Sequence, residues 1–157
     1  MDLKNYLKDT FLFNDQANKR LLLKIKLLPD PSGCVKLFSH LINCQFKWMA
    51  RVQHENGYEK LSWWEPVYAI IDLESKWNQS LQIWLDYLDA TGEDVLTSEV
   101  TFSGLGGKIY AATPKDIALQ LNYHSIHHRA QMQVLIRQQG VEPDFLDYIG
   151  TKYRQIT

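Results

Sequence analysis

One line of side chains constrains this chain more than any other. Ile117, Leu121, His124, His128, Met132 and Leu135 follow one another in steps of 4, 3, 4, 4 and 3, the spacing of a single helix face. Two histidines therefore sit one turn apart in an otherwise apolar stripe. A helix of this kind must bury the stripe, and burial leaves the imidazole nitrogens in need of partners. Rings at i and i+4 can converge on one ion, which satisfies both at once. Thr113-Pro114-Lys115-Asp116 opens this helix, with threonine at the N-cap, proline at N1 and an acid in the first turn. It is expected to run to about Gln139, with Gly140 at C′.

Three more segments repeat the helical period. The first, roughly Leu3 to Leu28, carries Tyr6, Phe13, Ala17, Leu21, Ile25 and Leu28 and ends at Pro29-Asp30-Pro31. Ser32 offers an N-cap for the second, roughly Gly33 to His54, whose inward stripe reads Leu37, Leu41, Cys44, Trp48 and which Asn56-Gly57 closes. The third runs from about Leu73 to Leu88, with Trp77, Leu81, Trp84 and Leu88 inward and Thr91-Gly92 as its stop. Between the second and third, Tyr58 to Val67 holds Trp63, Trp64 and Pro66 without a clean period and reads as a loop packed over the end of the bundle. Val95 to Phe102 and Lys108 to Ala112, joined by Ser103-Gly104-Leu105-Gly106-Gly107, suggest a short β-hairpin or extended crossover before helix four. Phe145, Tyr148 and Ile149 in the tail are expected to fold back. An all-α four-helix bundle forming one domain over residues 1–157 follows, with sites built from facing helices.

Composition removes several functions. Apolar residues make up 45% of the chain, enough for its own core, and a net charge of −1 gives no whole-chain attraction to nucleic acid. No stretch has the roughly 18 apolar residues of a membrane span, and the start, MDLKNYLKDTFLF, lacks the apolar core of a signal peptide. Cys34 and Cys44 lie on one helix, about 15 Å apart in rise, too far to bridge. A reduced, soluble, cytoplasmic domain is expected, binding neither nucleic acid nor membrane.

The third ligand for the paired histidines should come from another helix. His40, at the edge of helix two's inward stripe, is the best placed, whereas His54 lies at the helix end and reads as solvated. His127 sits about 100° off the line, alongside Gln120, Tyr123 and Gln131, and flanks the site. Cys44 reads as a small core residue. Three imidazoles leave positions open for water or substrate, the pattern of a catalytic site. Ser125 stands where a His-Glu-x-x-His protease needs glutamate, and the Glu-x-x-His pairs of di-iron bundles are missing. The Gly104 to Gly107 cluster lacks the lysine and the strand-to-helix context of a phosphate loop.

The segment Asn122-Tyr123-His124-Ser125-Ile126-His127-His128-Arg129-Ala130-Gln131 resembles the fourth-helix signature of the DinB-like family, His-x-x-x-His-Arg-Gly-Gln, with Ala130 in place of the common glycine. Phe38-Ser39-His40-Leu41-Ile42 resembles its second-helix histidine segment. Asn18-Lys19-Arg20-Leu21-Leu22 resembles its first-helix pattern, and Asp147-Tyr148-Ile149-Gly150 its C-terminal one. The resemblance implies an up-down-down-up bundle, a homodimer, and His40, His124 and His128 as ligands of one divalent metal, with zinc or nickel the leading ions. It also implies kinship with bacillithiol S-transferases. The expected function is thus a metal-dependent thiol S-transferase or hydrolase acting on a small molecule, with a low-molecular-weight thiol as a further cofactor. Arg129, Gln131 and His127 are the expected substrate-orienting and proton-relaying residues. The alternative is a non-catalytic, metal-stabilised stress-response or binding module.

Overall fold

The computed structural model describes residues 2–156. Its elements are α1 (Leu3–Ile25), α2 (Ser32–Val52), α3 (Leu73–Ala90), α4 (Glu93–Thr97), β1 (Val100–Ser103), β2 (Ile109–Ala112) and α5 (Pro114–Gln138). The helix read from sequence as the fourth is α5.

Four long helices form a square in which α1 and α2, consecutive in the chain, stand on a diagonal. Each packs instead against α3 and α5. Directions follow from which residues meet. Lys8 pairs with Asp89 and Lys26 with Glu74, so α1 and α3 are antiparallel. Phe38 packs edge-on against Trp77, and the Trp84 indole donates to the Gln45 carbonyl, so α2 and α3 run parallel. Cys34 lies beside the Met132 carbonyl while His40 meets His124, so α2 and α5 are antiparallel. The order is therefore up-down-down-up. A parallel neighbour cannot be reached through a tight turn, which accounts for the long connection over 53–72 between α2 and α3.

The core splits into two clusters along the bundle. One centres on Leu21, Ile25, Phe38, Ile42, Trp77, Met132 and Ile136, the other on Leu7, Phe11, Trp84, Leu88, Ile117 and Leu121. Helix α2 is buried on nearly every side, as expected of a helix whose polar face is also enclosed. Phe38, Ile42 and Met49 lie in the core beside Leu41 and Cys44 of the expected stripe, while Leu37 and Trp48 are only partly buried against it.

Several local expectations are corrected. Helix α2 has Pro31, not Ser32, at its N-cap position, and the Ser32 amide donates to Asp30 Oδ1 at 3.0 Å. At its other end His54, with φ 52°, takes the left-handed position, and Glu55 N–H bonds the Ala50 carbonyl at 2.9 Å. This is a Schellman closure made three residues before Gly57, because histidine tolerates that conformation better than most side chains. Val95 begins no strand: Glu93 and Asp94 in a first turn after Gly92 make α4 helical. The hairpin itself is present, with Val100 to Ser103 antiparallel to Ile109 to Ala112. In the tail Leu146, not Phe145, is the buried anchor, while Tyr148 packs edge-on against Phe13 at 5.1 Å and Ile149 is exposed. Helix α5 ends as expected, with Gly140 at φ 80° and the Gly140 and Val141 amides closing onto Arg137 and Ile136.

Candidate metal centre

The stripe on α5 brings His124 and His128 against α2, where His40 and Cys44 stand one turn apart. The three histidine rings lie 5.0 Å (His40–His124), 4.8 Å (His40–His128) and 4.4 Å (His124–His128) between centroids. His40 Nε2 and His124 Nε2 face each other at 2.9 Å. Cys44 Sγ is 3.6 Å from the first and 3.8 Å from the second. The donor atoms of His40, Cys44 and His124 all fall within 4.8 Å of one another, a group able to hold a metal ion. His128 stands beside this group, and Cys44, read from sequence as core, is inside it. The signal for Cys44 was its i+4 spacing from His40, which puts both on one face of α2.

Contacts at the opposite ring nitrogens decide which lone pairs are free. His40 Nδ1 lies 2.7 Å from the Trp63 carbonyl, an acceptor only, so Nδ1 carries the proton and Nε2 presents its lone pair. His128 Nδ1 lies 2.7 Å from Gln131 Oε1, with the same consequence. Gln131 Nε2 in turn points to His127 Nε2 at 3.3 Å. Metal-binding histidines ordinarily donate their second N–H in this way. Gln131→Ala is expected to weaken metal affinity by about 10–100-fold without unfolding the chain, measured by competition with a chromogenic chelator.

The electrostatics favour the neutral, ligating form. Burial holds His124 down to about 4, and the neighbouring His128, His40 and His127 push the same way. Burial also lowers His40 and His128, partly offset by the Trp63 carbonyl for the first and by Gln131 for the second. Burial pushes the Cys44 thiol up to about 12, against a smaller opposing effect of Lys47, so unaided it is a neutral thiol. Two ring nitrogens facing each other at 2.9 Å beside a thiol, with no carboxylate among the donors, suit a divalent cation of borderline softness. The unfolded chain binds protons at His124 near its ordinary 6.5 and the folded chain only near 4. The stability that neutral His124 contributes to the metal-free chain is therefore fully present above 6.5 and declines as pH falls from there toward 4. Urea midpoints of the chelator-treated protein should drop between pH 7 and pH 5, and a flat profile would contradict this assignment.

A cavity of about 540 Å³ opens beside the rings, lined by His40, His124, His127 and His128 with Cys44, Gln120, Leu121, Trp48, Trp63 and Trp64. The tryptophan loop lies over the site: Trp64 stacks on His40 at 3.9 Å with an interplanar angle of 11°. His127 reaches this cavity, and Gln131 reaches it only through His127 and His128. Arg129 lies on the other side of α5. The residue is 3% exposed, and its guanidinium donates to Asn14 Oδ1 at 2.5 Å, Asn18 Oδ1 at 2.9 Å and Ser125 Oγ at 3.4 Å. The structure thus turns Arg129 toward α1, away from the cavity it was expected to serve.

An up-down-down-up bundle whose facing helices bring imidazoles and a thiol together beside an open cavity defines a helical protein with a candidate metal centre. The chain belongs to the DinB family, whose description matches residues 34–157 and so includes every residue of this centre. Helix α1, with its Asn18 pattern, precedes the matched part. No curated protein and no solved structure matches the chain. Among the described residues no helix is long and apolar enough to cross a membrane.

Proposed function

We propose that the chain binds one divalent metal ion through His40, His124 and His128, and that it acts on a small molecule as a metal-dependent thiol S-transferase or hydrolase. The observation that carries this reading is the pair of oriented imidazoles: His40 and His128 each spend Nδ1 on a protein acceptor and keep Nε2 unprotonated beside an open cavity, that of His40 facing His124. A bound divalent ion would supply a Lewis acid able to deprotonate a thiol or water at neutral pH. Around it, Trp63 and Gln131 fix the rings, Trp64 covers His40 from solvent, and His127 at the cavity wall is placed to carry a proton outward. In the transferase form, the thiol sulfur bonds to an electrophilic carbon as the leaving group departs with its electron pair, and the thiol proton passes to His127 or solvent. No acid lines the cavity to act as general base for water, which favours a thiol over hydrolysis. A homodimer belongs to the same proposal and is read directly by light scattering.

Cys44 supports a second reading. With its sulfur 3.6–3.8 Å from the ring nitrogens, it could complete a set of protein ligands and close the site, giving a metal-stabilised module without catalysis. Cobalt(II) substitution separates the two. A strong near-ultraviolet sulfur-to-cobalt band, lost in Cys44→Ser, would favour the closed site, and its absence the open one. The functional test incubates zinc- or nickel-loaded protein with low-molecular-weight thiols and alkylating electrophiles. Adduct formation that needs the metal and disappears in His124→Ala supports the transferase. Turnover without thiol supports the hydrolase, and no turnover of either kind returns the protein to the second reading.

A further inference from the structure

The cavity beside the histidines is walled by indoles rather than by carboxylates. Trp48, Trp63 and Trp64 form much of it, and no Asp or Glu lines it. Aromatic walls of this kind usually attract cations, which seek the negative ring faces. Here those faces are already engaged from behind. The Arg51 guanidinium lies 4.8 Å from the Trp48 ring centroid and 4.9 Å from that of Trp63, and the Lys47 ammonium lies 4.7 Å from Trp63.

Both cations are buried, Lys47 at 7% and Arg51 at 8% exposure. Neither forms an ion pair among the described residues. Lys47 donates to the Leu61 carbonyl and Arg51 to the Ser103 carbonyl, while Arg51 Nε has no partner at all. Burial and the neighbouring Arg51 hold Lys47 below its ordinary value, and Glu59 offsets them only in part. Two buried positive charges without a salt-bridge partner among the described residues therefore lie against the indoles of the wall, and their field extends into the cavity.

We propose that this cavity selects a planar, apolar organic anion, such as an aromatic carboxylate, and discriminates against a cation of the same shape. The inference rests on the cavity being the binding site read above. It does not need the metal, because Lys47 and Arg51 act through Trp48 and Trp63 whether or not an ion is bound.

The experiment is calorimetric titration of 2-naphthoate and of (2-naphthyl)trimethylammonium into chelator-treated and zinc-loaded protein. Naphthoate should bind at least about tenfold more tightly than the cation in both forms. Lys47→Met should narrow that ratio while leaving zinc uptake intact. Because the comparison of the two probes uses wild-type protein, it stands even if that variant folds poorly. Equal or tighter binding of the cation would overturn the proposal, as would a preference present only in the zinc-loaded form, where the metal alone would be discriminating. Zinc uptake without naphthoate binding would overturn this inference and leave the metal reading standing. Anion preference without zinc uptake would do the reverse.

Discussion

Arg129→Met is expected to destabilise the fold by about 2–4 kcal/mol while leaving metal binding unchanged. Methionine keeps most of the side chain's volume over the Phe13 ring, which the guanidinium now covers at 5.4 Å. It cannot donate, so the Asn14 and Asn18 amide oxygens lose a charged donor in the core. Leaving a buried acceptor unpaired costs roughly 1–3 kcal/mol, and bonds to a charged donor lie at the upper end. Burial already draws the Arg129 pKa down to about 10, the mark of a cation held only by neutral partners. Denaturant midpoints report the loss, and zinc titration of the folded variant reports the site. A variant with normal stability and no activity would return Arg129 to the chemistry and contradict the position the structure gives it.

His40→Ala has the second large effect, and it acts on binding rather than on stability. His40 is the histidine of α2, and the Trp63 carbonyl, the Trp64 indole, His124 Nε2 and Cys44 Sγ all meet its ring. Removing a partner that merely orients a ligand costs about 10–100-fold in metal affinity, so loss of the ligand itself should exceed about 100-fold. Trp64 also loses the ring it stacks on, and its fluorescence should move toward that of a solvated indole. Affinity within tenfold of the wild type would mean that His124, His128 and Cys44 suffice and that His40 is only a covered core residue.

Much of this was legible beforehand, and for identifiable reasons. Helix α5 announced both its ends through Thr113, Pro114 and Gly140, whose conformations the local sequence dictates. Its stripe of Ile117, Leu121, His124, His128 and Met132 followed from spacing alone, and the structure carries those residues toward α2 and the core. The end of α2 was misplaced because glycine is the usual left-handed residue, and His54 took that position four residues after Ala50, the carbonyl its neighbour Glu55 closes upon. Cys44 is the core residue its spacing suggests and also a neighbour of the histidines, and Arg129 faces α1; neither contact was legible, for one shared reason. Both α2 and α5 are buried on more than one face, so an inward position does not say which neighbour it meets. Cys44 meets the histidines and Arg129 meets α1. The role of Trp63 and Trp64 had no period to betray it, since a loop's placement over a site is set by tertiary packing.

The most direct test is the metal content of the purified protein by elemental analysis, wild type beside the His40→Ala, His124→Ala double variant. About one zinc or nickel ion per chain in the wild type, absent from a variant that still melts cooperatively, is the predicted result. A wild type that takes up no metal even after reconstitution with zinc and nickel would contradict the account and leave a helical bundle with buried histidines.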